Sequence, residues 1–311
     1  MAKIIGPGSL NVDITGYAPH LPTAGQTVTG STLRFSTGGK GTNQMTAAHR
    51  AGAEAYIIGK QGDDVLGQIL RRHYESEGLS RTYVTTDPGI ETGSALIEID
   101  EGDAQNRIMV ILAANAQVGR DEVMAAERDF VDADAVLTQL ETTIPAVEAA
   151  KELARKYGKP FILNPAPCIP LPSALLEGID YVTPNETEAA QMTGCPVDSV
   201  DDCRRAAELL LSRGIRNVVI TLGSRGAFFK NAESEYFLPA LSVRAVETTG
   251  AGDAFNGGFA TAIAEGMPIE TALKFATCTA AISVTRLGAA SSMPHRHEIN
   301  ELMEREFSIK L

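Results

Sequence analysis

The run Thr248-Thr249-Gly250-Ala251-Gly252-Asp253-Ala254-Phe255-Asn256-Gly257-Gly258 offers the strongest local chemistry in the chain. Two glycines stand directly before an apolar helical run, so the backbone can approach a ligand closely there. The unpaired N–H groups and positive dipole end of the following helix favour an anion, phosphate in particular. Asp253, in the first helical turn, has two readings. An isolated acid at a helix start complements the dipole and needs no other role. A carboxylate held where phosphate charge gathers can also take the proton from an attacking hydroxyl. The second reading requires a partner motif.

That partner is Gly38-Gly39-Lys40-Gly41-Thr42-Asn43-Gln44, a second glycine cluster entering a helix that is expected to run to about Ala51. It is not a nucleotide P-loop, because Lys40 is followed by Gly41 where such a loop needs Ser or Thr. Lys40 and Asn43 instead offer donors and an amide suited to sugar hydroxyls, and Asn11 and Asp13 add two polar groups after the first strand. Taken singly, each of these is as well explained as a turn residue.

The elements that must position these residues follow a β-α alternation. Ala55–Ile58 precedes a helix over Asp64–Glu77, and Ala135–Leu137 precedes a helix over Ala146–Lys156. Phe161–Leu163, Tyr181-Val182 and Val218–Ile220 continue the strands, with a helix from Val200 to Arg213 between the last two. A central parallel sheet is expected. Helices over Ala251–Glu265, Ile269–Thr285 and His297–Glu306 should pack onto it. Two segments, about 12–36 and 92–112, break the pattern with β-branched or alternating residues and predict antiparallel strands. On pattern alone they fit edge hairpins as well as a small lid.

Composition narrows the function. With 311 residues and 44% hydrophobic content, the chain can bury one large core. Its formal net charge of −12 argues against a nucleic-acid surface, since a polyanion needs a basic stripe. Cys168, Cys195, Cys203 and Cys278 have neither disulfide-framework nor zinc spacing, which predicts a reduced, cytoplasmic protein. His295 and His297 lack further ligands nearby and read as a solvated pair. No apolar run is long enough to span a membrane.

Seven ordered motifs together resemble the phosphofructokinase-B-type, ribokinase-like family of sugar kinases over essentially the whole chain. They are Gly8–Asp13, Gly38–Gln44, Gln139-Leu140-Glu141, Asn164–Pro167, Thr183–Glu188, Thr221–Gly226 and Gly250–Asp253. The resemblance implies a Rossmann-like α/β fold of one kinase domain, residues 1–311, with a small β-sheet lid. It implies magnesium–ATP as donor and a primary sugar hydroxyl as acceptor. Asp253 would be the base, with Gly250, Ala251 and Gly252 stabilising the transferring phosphoryl group. Asn11, Asp13, Gly39, Lys40, Asn43 and Glu141 would bind the sugar. Asn185, Thr221, Gly223 and Gly226 would serve the nucleotide, with Glu188 in the magnesium and phosphate region.

The family likeness further implies a potassium loop between Glu247, Thr249 and the later Ser283, Arg286, Gly288 and Ser292. The expected acceptor is the 5-hydroxyl of D-ribose; deoxyribose, another sugar or a nucleoside are the alternatives, and a non-catalytic sugar sensor is a remote one. A homodimer formed through the lid is expected, because a small β appendage exposes an apolar face. Two departures from the family pattern bear on details. Ile111-Leu112-Ala113-Ala114-Asn115 carries larger apolar groups at the return from the lid, and Glu247 stands where Asp is expected.

Overall fold

The computed structural model describes residues 1–102 and 105–311; residues 103 and 104, inside the second expected lid segment, lie outside the described residues. In chain order the strands are β1 (Lys3–Pro7), β2 (Asn11–Ala18), β3 (Thr32–Gly38), β4 (Glu54–Gly62), β5 (Val84–Asp87), β6 (Gly93–Asp100), β7 (Asn106–Ile111), β8 (Ala135–Thr138), β9 (Phe161–Leu163), β10 (Tyr181–Val182), β11 (Asn217–Thr221), β12 (Gly226–Asn231) and β13 (Glu235–Pro239). The helices are α1 (Lys40–Arg50), α2 (Val65–Glu77), α3 (Arg120–Ala125), α4 (Glu127–Asp132), α5 (Ile144–Lys156), α6 (Ser173–Leu176), α7 (Glu186–Thr193), α8 (Val200–Leu211), α9 (Ala251–Ala264), α10 (Ile269–Ser283) and α11 (Arg296–Phe307). Local signals fix several starts. Asp64 accepts a hydrogen bond from the Gly67 amide ahead of α2, and Thr143 and Ser199 cap α5 and α8 in the same way.

Nine strands form one sheet in the order β13-β12-β11-β10-β9-β8-β1-β4-β5. Strands β4, β5 and β8 to β11 pair in parallel with their neighbours around β1, as the alternation predicts. The β11–β12–β13 edge is antiparallel, because the link from β11 to β12 is a single short turn and a parallel crossover needs a dozen residues or more. Successive apolar residues go to opposite faces. Ile5, Ile58, Val136, Leu163 and Val218 join the core beneath α3, α5 and α8, while Ile4, Ile57, Leu137, Ile162 and Val219 join the core beneath α1, α9, α10 and α11. Burial on both faces is why the strands read as continuous hydrophobic runs.

The two segments that broke the pattern form a separate four-stranded sheet, ordered β3-β2-β6-β7. Its hairpins are antiparallel as expected, but β2 and β6 pair in parallel. Both strands start at the same rim of the large sheet, with Asn11 opposite Gly93, and run outward together.

One close approach places the chemistry. Where α9 crosses α1, a Cβ on Gly257 would lie 2.5 Å from both the Gln44 carbonyl oxygen and the Ala47 Cβ. Only a bare glycine lets α9 sit this near, and the contact brings Asp253 over Asn43 and Gln44.

Candidate active site

Strand order reverses between β1 and β8, and in open α/β sheets the crevice at such a switch point gathers ligands at the carboxyl ends of the strands. Ser9 and Asn11 follow β1, and Glu141 follows β8. The Ser9 hydroxyl donates across the crevice to Glu141 Oε2 at 2.6 Å, and the Lys40 amide donates to the same oxygen at 3.0 Å. Lys40 Nζ lies 3.8 Å from the other Glu141 oxygen. Gly39, at φ +84°, turns the chain into α1 and aims Lys40 and Asn43 at this space. The Asp13 carboxylate lies over Gly38, where a Cβ would meet both its oxygens at 2.3 Å.

The base candidate closes the far side. Asp253 lies in the first turn of α9, just past Gly250 at φ +80°. Asn43 Nδ2 donates to its Oδ2 at 2.9 Å, and Gln44 Nε2 donates to its Oδ1 at 3.0 Å. The Ala251 amide donates to the Thr248 carbonyl at 3.1 Å, while the Gly250 and Gly252 amides and the positive end of α9 face the side of the carboxylate. Asn43 Oδ1 is buried without a hydrogen-bond partner, an acceptor that a ligand hydroxyl would satisfy.

Electrostatics distinguish this cluster from an ordinary surface patch. Burial, then the neighbouring Glu141 and Asp253, push the Asp13 carboxyl up to about 7 against the opposing pull of Lys40. Burial also raises Asp253 and Glu188. Burial alone would lower Lys40, but the fields of Asp253, Glu141, Glu188 and Asp13 outweigh it and hold the ammonium above its usual range. One cation thus faces four carboxylates. Such a site is rich in acceptors for a neutral polyol, and it lacks the positive charge needed by an anionic acceptor substrate.

The residues expected to serve the nucleotide gather at the adjoining strand ends. Asn185 and Thr221 form a parallel bridge, and Asn185 and Glu188 cap α7 reciprocally, at 2.8 and 2.9 Å. Glu188 is within electrostatic reach of Lys40 and Asp253, which ties this group to the first. Gly223 and Gly226 bound the single turn between β11 and β12.

The loop expected to hold a monovalent ion also assembles. Glu247 Oε2 accepts from the Gly288 amide at 2.9 Å, and the Val246 and Glu247 amides both donate to the Val284 carbonyl. Ser283 and Ser292 donate to the Ala280 and Ala289 carbonyls, and Thr249 lies in the turn before Gly250. The Arg286 guanidinium is taken by Glu298, leaving only its backbone to the loop. Among the described residues, no three His, Cys, Asp or Glu side chains converge as a metal-ligand set.

Sequence reasoning gave no role to several buried polar residues that support the site. Asn115 Oδ1 accepts the Leu10 amide while its Nδ2 donates to Asn11 Oδ1 at 2.7 Å, which fixes the Asn11 amide with its Nδ2 left for a ligand. Ser9, Gln44, Gln139, Asn164 and Asn256 are likewise buried and hydrogen-bonded. Each stands inside a quoted motif, so position was legible and role was not.

Comparison with known proteins agrees with this geometry. A Haemophilus influenzae ribokinase is 38% identical over 297 residues, covering 96% of this chain and 97% of that protein. A Salmonella typhimurium deoxyribokinase is 35% identical over 297 residues, covering 95% and 97%. The structure of Arabidopsis thaliana ribokinase complexed with ribose and ATP superimposes with a TM-score of 0.91 at 30% identity, covering 98% of this chain and 99% of that one. The model of the pfkB family carbohydrate kinases matches residues 1–296, and the chain belongs to that family.

Proposed function

We propose that this kinase transfers the γ-phosphoryl group of ATP to the 5-hydroxyl of D-ribose. The observation that carries the reading is Asp253, a buried carboxylate at the mouth of an anion-binding helix start and beside a pocket of hydroxyl acceptors. As the sugar oxygen bonds to the γ-phosphorus and the bond to the β-phosphate oxygen breaks, Asp253 takes the hydroxyl proton and ADP leaves. The Gly250 and Gly252 amides stabilise the charge on the phosphoryl oxygens in flight, and the Ala251 amide joins them on leaving the Thr248 carbonyl. Asn11, Asp13, Gly39, Lys40, Asn43 and Glu141 hold the sugar; Asn43 Oδ1 has no other partner, so a hydroxyl donating to it removes the cost of an unpaired buried acceptor. Asn185, Thr221, Gly223 and Gly226 hold the nucleotide.

Two ions fit the remaining donors. Magnesium takes one or two carboxylates and otherwise phosphate and water oxygens, and Glu188 suits that sparse set because one of its oxygens is committed to capping α7. It would neutralise phosphate charge that the acidic cluster repels. A monovalent cation, potassium, fits the hard oxygen donors of the Glu247, Thr249, Ser283, Arg286, Gly288 and Ser292 loop, and would brace the neighbouring glycine turn. The small sheet acts as a lid on one kinase domain and as the contact for a second copy. ATP as donor and four unpaired thiols suit the cytoplasm, and among the described residues no helix is long and apolar enough to cross a membrane.

The deoxyribokinase relative supplies a second reading, phosphorylation of 2-deoxyribose. Asp13 and Asn11 together favour a fully hydroxylated sugar, since a missing hydroxyl leaves a buried polar group unpaired. A coupled ADP-release assay across ribose, 2-deoxyribose, hexoses and nucleosides decides between them. Ribose is expected to give the highest kcat/KM; silence with ribose and turnover with another sugar would overturn the first reading.

A further inference from the structure

We propose that Gln44 is the positioning residue for the base, holding the Asp253 carboxylate as the middle member of a buried side-chain relay that ends on the glycine turn. The inference rests on Asp253 being the base. The relay has a direction set by its ends. Peptide carbonyls only accept, so Asn164 must turn its Nδ2 to the Thr183 carbonyl, at 3.0 Å. Its Oδ1 therefore faces Gln44 and accepts from Nε2 at 3.0 Å. The Gln44 Oε1 is left to accept from Gln139 Nε2 at 2.9 Å, and the second Nε2 hydrogen goes to Asp253 Oδ1 at 3.0 Å.

On the other branch, Thr183 Oγ1 donates to Asn256 Oδ1 at 2.5 Å, and Asn256 Nδ2 donates to the Gly252 carbonyl at 2.8 Å. Gln44, Gln139, Asn164, Thr183 and Asn256 are all buried, so water cannot replace a lost member.

Two consequences follow for the reaction. Gln44 cannot flip without losing three partners, so it can only donate to the base. With Asn43 on Oδ2, each Asp253 oxygen holds one donor and keeps one lone pair for the sugar hydroxyl. The carboxylate is thereby fixed in rotation and its ionised form is favoured, against burial and against Glu141, Asp13 and Glu188, with the Lys40 cation on the favourable side. The same relay grips the carbonyl of Gly252, so base and phosphoryl cradle are held in one geometry.

The test measures kcat and sugar KM from pH 5.5 to 9.5 for wild type, Gln44→Met, Gln44→Glu and Asp253→Asn, using the best sugar from the ADP-release assay. Loss of one hydrogen bond to a charged group is expected to move the acidic limb of kcat up by about 1 to 2 pH units in Gln44→Met. Below the wild-type limb its kcat should fall roughly tenfold to a hundredfold, with KM within about threefold and recovery of kcat at high pH. Gln44→Glu, isosteric but carrying a like charge, should move the limb further, and it decides the matter if Gln44→Met fails to fold. An unshifted limb, or a loss equal at every pH, overturns the positioning role. If Asp253→Asn itself keeps wild-type turnover, the base assignment falls instead, so the two failures are distinguishable.

Discussion

At the scale of single residues, Asp13 and Asp253 are carboxylates that burial pushes up in pKa, and the two should behave differently when altered. Asp253→Asn keeps the shape and the Gln44 contact but cannot take a proton. Turnover should drop by roughly two to four orders of magnitude while calorimetry still shows sugar and ATP binding. Asp13 has a pH signature. Its carboxyl is pushed up to about 7, and the proposed sugar contact calls for its ionised form. Sugar affinity should therefore decline below pH 7, by up to about tenfold per pH unit. The ligand-free protein should show the opposite trend. Between about 4 and 7 the folded state binds the proton that the unfolded chain has lost, so stability falls as pH rises through that window. Asp13→Asn should flatten this slope in denaturant titrations, raise stability at pH 8, and abolish tight sugar binding.

At the scale of elements, the contact between α1 and α9 sets the distance from Asn43 and Gln44 to Asp253, the proposed base. Gly257→Val would force the helices apart, because its Cβ would already overlap Gln44 and Ala47 before the γ-carbons are counted. Overpacking of this kind costs about 1 to 3 kcal/mol, and denaturant midpoints should fall accordingly. Activity should fall more than stability does, since Asn43 and Gln44 would lose reach to Asp253. The loop of Glu247 and Gly288 is the second element at issue. Replacing a bulky organic cation by potassium, at equal ionic strength and saturating magnesium–ATP, should raise turnover. An equal rate in potassium, caesium and sodium-free buffer would count against an ion site there.

At the scale of the whole molecule, the small sheet exposes more apolar surface than an isolated lid needs. Phe35, Ile14, Leu96 and Met109 lie opposite one another in a single row across its four strands, and Phe35 and Met109 are 52% and 62% exposed. Leu33 extends the same face. Continuous apolar rows on an exposed sheet suit a contact surface, and the proposed homodimer would cover this one with the same row of a second copy. Phe35→Glu would bury an unpaired charge in that contact. Sedimentation should show a dimer for wild type and a dissociation constant raised about a hundredfold or more for the variant, in line with ~3 kcal/mol or more.

The sequence by itself determined the β-α alternation, the helix that starts after Asp64, the two glycine turns and the place of Asp253, because these depend on local pattern and backbone chemistry. It also singled out Asn11, Asp13, Lys40, Asn43 and Glu141, though as members of motifs far apart in the chain. Tertiary structure decided what those residues do to one another. The pairing of β2 with β6 and the relay from Gln139 through Gln44 to Asp253 join positions about eighty to two hundred residues apart. No local pattern encodes such partners. A buried amide looks like any other polar residue until packing removes water and leaves it one set of donors and acceptors.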